Sequence, residues 1–374
     1  MSSESIPQTQ RAAVLTTPSS PPHLHIQTDY PVPQPDTLLP NQCLVRISHS
    51  GICHSDIHIA TGEWTSLPPF VVGHEGVGYV VALGRGAHEG IGMSAIKVGS
   101  RVGIKWLADA CGRCEVCRNG FEPACLERRI SGHTVNGTFC EYMVAWMDHV
   151  VPIPDAMKSQ DAAPILCAGL TVYGGLKHSN ATVGNWIVIP GAGGGLGHLA
   201  IQYAVAMGLR VVAIDSGADK KKLCLALGAE KWIDFIESTD LVKDVVAACD
   251  GIGAHAALVT PPSLNAYTDA LMYLRPVGTL VAIGIPAEGW SSLRLVGSLV
   301  GNQQDAFEAL DLVARGKVKV HSHLRKLEDV NECVFAFSIL LTNLNAHASI
   351  YHLMIRVFKE MVEGTLVGRA VIQL

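Results

Sequence analysis

Trp186-Ile-Val-Ile189 runs into Gly191-Ala-Gly-Gly-Gly-Leu-Gly197, whose end overlaps the stretch Leu196 to Met207, and then comes Arg210-Val-Val-Ala-Ile-Asp215. The outer pieces are short β-branched apolar runs that read as buried strands, and the middle piece reads as a helix. Strand, helix, strand at this spacing is a βαβ unit of a parallel sheet. The strict G-x-G-x-x-G pattern does not fit. Gly194, Gly195, Leu196 and Gly197 supply its last part, while Gly191 stands one residue further away. The physics survives, because absent side chains let backbone amides approach a pyrophosphate at a helix N-terminus. Asp215 ends the second strand about twenty residues on, where a carboxylate accepts from a ribose 2′-OH and repels a 2′-phosphate. That favours NAD over NADP. A glycine-rich turn that only packs a helix tightly on a sheet is the alternative.

Outward from this unit the texture changes. Residues 1 to 165 alternate short runs with Gly and Pro turns: Cys43-Leu-Val-Arg-Ile47, Val77-Gly-Tyr-Val-Val81, Arg101-Val-Gly-Ile104 and Tyr142-Met-Val144. Such spacing predicts a mostly-β domain. Towards the C-terminus, Thr279 to Ile283 and Leu293 to Val296 are further strand candidates of the second domain. The expected fold class is therefore α/β: a mostly-β domain followed by a Rossmann doubly wound parallel sheet.

Among the 374 residues 48% are apolar and 16% charged, with a net charge of −5. That is ample material for two cores, with no electrostatic footprint for nucleic acid. Met1 to Arg11 lacks the apolar region of a signal peptide, so the cytoplasm and reduced thiols are expected. Cys333 to Ile355 is uncharged, but Asn343, Asn345, His347 and His352 interrupt it at a cost that argues against a membrane span.

Cys111, Cys114, Cys117 and Cys125 form a C-x2-C-x2-C-x7-C run. Four thiolates this close can close a tetrahedral shell around a structural zinc. Cys53, His74 and Cys167 lie far apart in sequence. Two thiolates and an imidazole would leave a fourth zinc position open for chemistry. Taken singly, each reads as well as a buried small hydrophobe or a hydrogen-bonded histidine.

Gly51-Ile-Cys-His-Ser-Asp56, Gly73-His-Glu-Gly76, Gly103-Ile-Lys-Trp106, the four-cysteine run, Pro164-Ile-Leu-Cys-Ala-Gly-Leu-Thr-Val-Tyr173 and Val367-Gly-Arg-Ala-Val371 occur in that order along nearly the whole chain. Together they resemble the zinc-dependent medium-chain alcohol dehydrogenases, and among these the fungal ethanol-oxidising branch. The resemblance implies a GroES-like catalytic domain over 1–167, completed by 302–374, and an NAD-binding domain over 168–301. It implies that Cys53, His74 and Cys167 hold a catalytic zinc, with Glu75 beside them and Asp56 orienting the imidazole. Ser55 and His58 match the proton relay. His54 and Arg369 match cationic contacts to the cofactor pyrophosphate. Gly191, Gly194, Gly195, Leu196, Gly197, Asp215, Lys220, Ile283, Ser298 and Val300 match other cofactor contacts. Trp64 and Trp106 match bulky residues that narrow the substrate pocket, which favours small primary alcohols; simple core packing is their other reading. Two zinc ions per subunit, NAD, a small alcohol or aldehyde and a homo-oligomer, tetrameric in the family, are implied. A relative acting on larger or aromatic alcohols, and a catalytically poor NAD- and zinc-binding protein, are the alternatives.

The chain departs from the family pattern in its last quarter. Cys333 to Arg356 intervenes where the family runs straight from a sequence like Lys326–Glu332 into one like Val357–Gly364. We read 333–356 as a translated retained intron, since Glu332-Cys-Val can encode a splice donor and Arg356 an acceptor; a surface helix insertion is the alternative. Ala287 to Arg294 is shortened in a region that borders the intersubunit sheet of the family. A smaller addition surrounds His88 to Ser94.

Overall fold

The computed structural model describes residues 5–85, 96–284, 296–297, 300–331 and 369–374. The insertion at 333–356, the shortened stretch 287–294, the addition at 88–94 and Ser298 lie outside the described residues. The chain forms two compact units, one running to Cys167 and resuming at Ser322, the other spanning Ala168–His321. Among the described residues no helix is long and apolar enough to cross a membrane.

The first unit is organised on strand Gln42–Gly51. Its neighbours are Gly76–Leu83, Tyr142–Trp146 and Arg369–Gln373, all antiparallel to it. Arg101–Ile104 and Val151–Pro152 extend the sheet on one side, and Ser322–Lys326 on the other. A smaller sheet of His25–Pro31, Thr9–Leu15 and Phe70–Val71 adjoins the same core, which gathers Val14, Leu15, Val45, Ile57, Val72, Ile104 and Phe139. Short strands carrying β-branched residues on alternate positions build such a half-buried sheet. The register Ser50↔Gly76 matters for function, because it sets the turn before Cys53 beside the turn that carries His74 and Glu75.

In the second unit the strands Lys231–Asp234, Arg210–Asp215, Trp186–Pro190, Ala254–Val259, Leu274–Ala282 and Val296–Gly297 lie in that order, every pair parallel. This is the 3-2-1-4-5-6 arrangement of a doubly wound dinucleotide-binding sheet. Trp186–Pro190 is buried along its whole length, as a central strand covered on both faces must be. The helix expected over Leu196 to Met207 spans Gly197–Ala206, and the strand expected from Thr279 begins earlier, at Leu274.

One boundary differs from the sequence reading, which returned the chain to the first unit at 302. The return is at Ser322. Helix Gln303–Ala314 stays with the second unit because Lys177 Nζ bonds Asp305 at 2.6 Å and Glu308 at 3.1 Å, while Tyr203 donates to the Ala309 carbonyl at 3.1 Å. Such long-range polar anchors leave no mark in the local sequence.

Candidate active site

Helix His54–Thr61 begins at Cys53, whose backbone N–H donates to Asp56 Oδ2 at 2.9 Å. The other oxygen of Asp56 accepts from His74 Nδ1 at 2.8 Å. One carboxylate therefore caps the helix and orients the imidazole, and both side chains are fully buried. In the neutral ring, a proton on Nδ1 leaves the second nitrogen bare. That atom, His74 Nε2, is buried and makes no hydrogen bond. Cys167 enters from the loop after 163–166, and its Sγ lies 3.8 Å from Cys53 Sγ. Glu75 is buried beside them, 3.9 Å from His74 Nε2, and ion-paired with Arg369. Gly51 makes room for it, since a Cβ there would overlap the Glu75 carboxylate.

The site is electrostatically polarised. The thiol of Cys53 is held well below its ordinary value, chiefly by the hydrogen bond with Cys167, helped by the Arg369 guanidinium against the cost of burial. Cys167 is pushed the other way by the same bond and by burial. Burial raises Glu75 to about 8, with Arg369 opposing. Burial lowers His74, yet the Asp56 carboxylate outweighs it and the net shift is upward.

Cys53, His74, Glu75 and Cys167 offer ligand atoms that all lie within 4.8 Å of one another, as do Cys111, Cys114, Cys117 and Cys125. A tetrahedron with metal–sulfur bonds of about 2.3 Å has edges near 3.8 Å. Four of the sulfur separations in the four-cysteine lobe are 3.4, 3.6, 3.9 and 4.0 Å. These bracket that edge and are far from the roughly 2 Å of a disulfide. Donor chemistry and spacing fit zinc at both places, and the orphaned His74 nitrogen fits it at the first.

Around the first cluster, Ser55 Oγ lies 3.8 Å from Cys53 Sγ. His58 sits one turn further along the helix, its ring stacked on Trp64 at 5.2 Å and 17°. Glu63, which the sequence reading did not single out, accepts from His58 Nδ1 at 2.5 Å. Trp106 is buried, with the Arg128 guanidinium 5.9 Å from its ring. His54 was expected as a cationic contact. Burial and the neighbouring His58 depress it to about 4, so in this structure it is a neutral imidazole.

In the second unit Gly191 has φ +70, a conformation that suits glycine, and a Cβ there would meet Thr260. Gly194 N–H donates to the Gly191 carbonyl at 3.1 Å, and Gly197 opens the helix so close to the Gly191–Ala192 backbone that any side chain would overlap it. Leu196 precedes that helix and Gly195 lies in the turn. Asp215 accepts from Gly193 N–H at 2.9 Å and from Lys220 Nζ at 2.7 Å. Ile283 follows the fifth strand, its N–H bonded to the Val259 carbonyl at 3.1 Å, and Val300 holds φ +45.

Residues 39–155 match the family described as the alcohol dehydrogenase GroES-like domain, and residues 195–315 the family described as zinc-binding dehydrogenase. Alcohol dehydrogenase 1 of Emericella nidulans is 44% identical over 87% of this chain and 93% of its own. An alcohol dehydrogenase of Schizosaccharomyces pombe is 43% identical over 84% and 90%. Among solved structures, the alcohol dehydrogenase of the archaeon Aeropyrum pernix superposes with a TM-score of 0.78 at 27% identity, over 97% of this chain and all of that one. With a GroES-like first unit, a doubly wound second unit and these relatives, the chain belongs to the zinc-dependent medium-chain alcohol dehydrogenases, in their fungal branch.

Proposed function

We propose that this enzyme oxidises small primary alcohols to aldehydes with NAD and carries out the reverse reduction. The observation that carries the reading is the convergence of Cys53, His74 and Cys167 around a buried imidazole nitrogen with no protein partner. Cys53, His74 and Cys167 would hold the catalytic zinc, with Glu75 as a neighbouring carboxylate; the four-cysteine lobe would hold a structural one. When bound, the catalytic zinc is a Lewis acid that makes a hydroxyl group more acidic. NAD takes up the hydride at its nicotinamide ring. In the balanced reaction, alcohol and NAD+ give aldehyde, NADH and one proton.

The chain's own residues position the reactants and move that proton. Asp56 holds the Nδ1–H of His74, so in the neutral ring Nε2 is the atom that would bind the zinc. Ser55 offers a hydroxyl beside Cys53, suited to pass a proton on, and His58 carries it toward solvent. Trp64 and Trp106 restrict the room for the alkyl chain. Gly191 to Gly197, Asp215, Lys220, Ile283 and Val300 would hold the cofactor in the second unit; Arg369 and His54 match cofactor contacts by family resemblance. The cytoplasm and a homo-oligomer, tetrameric by family resemblance, complete the reading.

Zinc content and NAD-linked oxidation across a series of straight-chain alcohols test it, on protein made from verified cDNA. Ethanol and propanol should have the highest kcat/KM, falling steeply with longer chains. A maximum at long or aromatic alcohols would replace the substrate assignment, and zinc-free protein with full activity would remove the mechanism. Sedimentation and cell fractionation test the oligomer and the compartment.

A further inference from the structure

Glu63 stands five residues after His58, and on a continuing helix its side chain would lie about 140° away from that histidine at 100° per residue. The helix does not continue. Gly62 adopts the left-handed conformation with φ +83 and ψ 10, and closes helix His54–Thr61. The chain turns back, and Glu63 Oε2 meets His58 Nδ1 at 2.5 Å. Thr61 Oγ1, which donates to the Ile57 carbonyl at 2.9 Å, lies 3.3 Å from the other carboxylate oxygen. Trp64 donates its N–H to the His58 carbonyl at 3.0 Å and lays its indole against the imidazole at 5.2 Å. His58 is thus held at its backbone, at one ring face and at one ring nitrogen. A carboxylate oxygen only accepts, so the shared hydrogen belongs to Nδ1, and in the neutral ring Nε2 is bare.

We propose that Glu63 is the positioning residue of the proton exit: it locks His58 as the Nδ1–H tautomer, aligned so that bare Nε2 accepts the proton released by alcohol oxidation. The inference rests on the reading of His58 as the outlet of the relay. In the step, the alcohol O–H bond breaks, the proton arrives at His58 Nε2, and the imidazolium then returns a proton to water. Glu63 ends as it began, a carboxylate, so nothing else is consumed. This is the arrangement by which a base is held in its working tautomer by a third group. The carboxylate is 45% exposed, so its replacement leaves the core of the first unit untouched.

The test uses the full-length holoenzyme with ring-15N histidine, comparing wild type, Glu63→Leu, Glu63→Gln, His58→Gln and the double variant His58→Gln/Glu63→Leu. The His58 signals, identified by their loss in His58→Gln, should show a protonated Nδ1 and a bare Nε2 in wild type. Glu63→Gln keeps an acceptor oxygen and should keep that pattern and most of the single-turnover rate of alcohol oxidation. Glu63→Leu should lose the pattern, and its single-turnover rate should fall about ten-fold, a part of what a positioned acid–base group contributes. The double variant should be no slower than His58→Gln, since the two residues act as one unit. If Glu63→Leu retains the Nδ1–H pattern, or retains the wild-type rate while His58→Gln is slow, the proposal is overturned. If His58→Gln itself turns over at the wild-type rate, the relay reading fails instead, while the ring-nitrogen signals still decide whether Glu63 sets the tautomer.

Discussion

Asp56 joins the start of a helix to the imidazole of His74: one oxygen caps Cys53 N–H at 2.9 Å and the other holds His74 Nδ1 at 2.8 Å. The side chains of Asp56 and His74 are both completely buried. The backbone that places the Cys53 thiolate and the ring that places Nε2 are thereby fixed by a single group. Neither can shift without straining the other.

Asp56→Asn keeps an amide oxygen for the helix cap but replaces the charged acceptor at His74 Nδ1 with an NH2 donor. Zinc affinity at the Cys53 cluster, and kcat with it, should fall between about ten-fold and a hundred-fold. The four-cysteine lobe should be indifferent to the change. Zinc titration against a chelator, read together with steady-state kinetics, separates the two sites; equal weakening of both would contradict the geometry.

Cys125→Ser addresses the other cluster. Cys125 is buried and lies 3.6 Å from Cys111 Sγ and 3.9 Å from Cys114 Sγ. Its loss should release one of the two clusters' ions and lower the Tm, because a closed structural site contributes directly to folding free energy. The remaining zinc and the NAD affinity should persist at low temperature. Metal analysis before and after mild heating checks this.

The four-cysteine lobe was legible because its ligands are near neighbours in sequence, where spacing alone carries the geometry. The parallel sheet was legible from Trp186 to Asp215 for the same reason, since strand, turn and helix are consecutive. Cys53 and His74 are brought together by sheet register and Cys167 enters from a separate loop, and single-residue reasoning gave each a bland alternative; the ordered motifs around them singled them out. Glu63 was invisible. Its contact with His58 depends on one left-handed glycine, and a helical reading sends it to the opposite face. The domain return at Ser322 was missed because the anchors of helix Gln303–Ala314, Lys177–Asp305 above all, cross more than a hundred residues of chain.

Asp215 accepts from Lys220 Nζ at 2.7 Å and from Gly193 N–H at 2.9 Å, so it pins the glycine turn as well as marking the end of the strand. Asp215→Ser removes the charge that repels a 2′-phosphate and frees the Lys220 ammonium to meet one. Charge-assisted hydrogen bonds of this kind are worth about 1.5–3 kcal/mol. The ratio of kcat/KM for NAD over NADP should therefore fall by one to two orders of magnitude, with NAD losing most of it. Adding Lys220→Met should abolish the gain in NADP use while leaving the NAD loss in place.

Lys105 is buried at the end of strand Arg101–Ile104, its Nζ without a hydrogen-bond partner. Burial depresses it to about 8 from an ordinary 10.5, with Glu122 opposing weakly. Below about pH 8 the amine is charged in both folded and unfolded chains, and the folded state bears the full cost. Between about 8 and 10.5 the unfolded chain still binds the proton that the folded one has shed, so stability rises with pH through that window. The interval corresponds to about 3 kcal/mol, as an upper figure. Lys105→Met, which keeps the length and removes the charge, should stabilise the protein by up to about that amount at pH 7 and by under about 1 kcal/mol near pH 10. Urea unfolding of both proteins at the two pH values measures it. A stabilisation of equal size at both would mean that packing at this site, and not the buried charge, sets the difference.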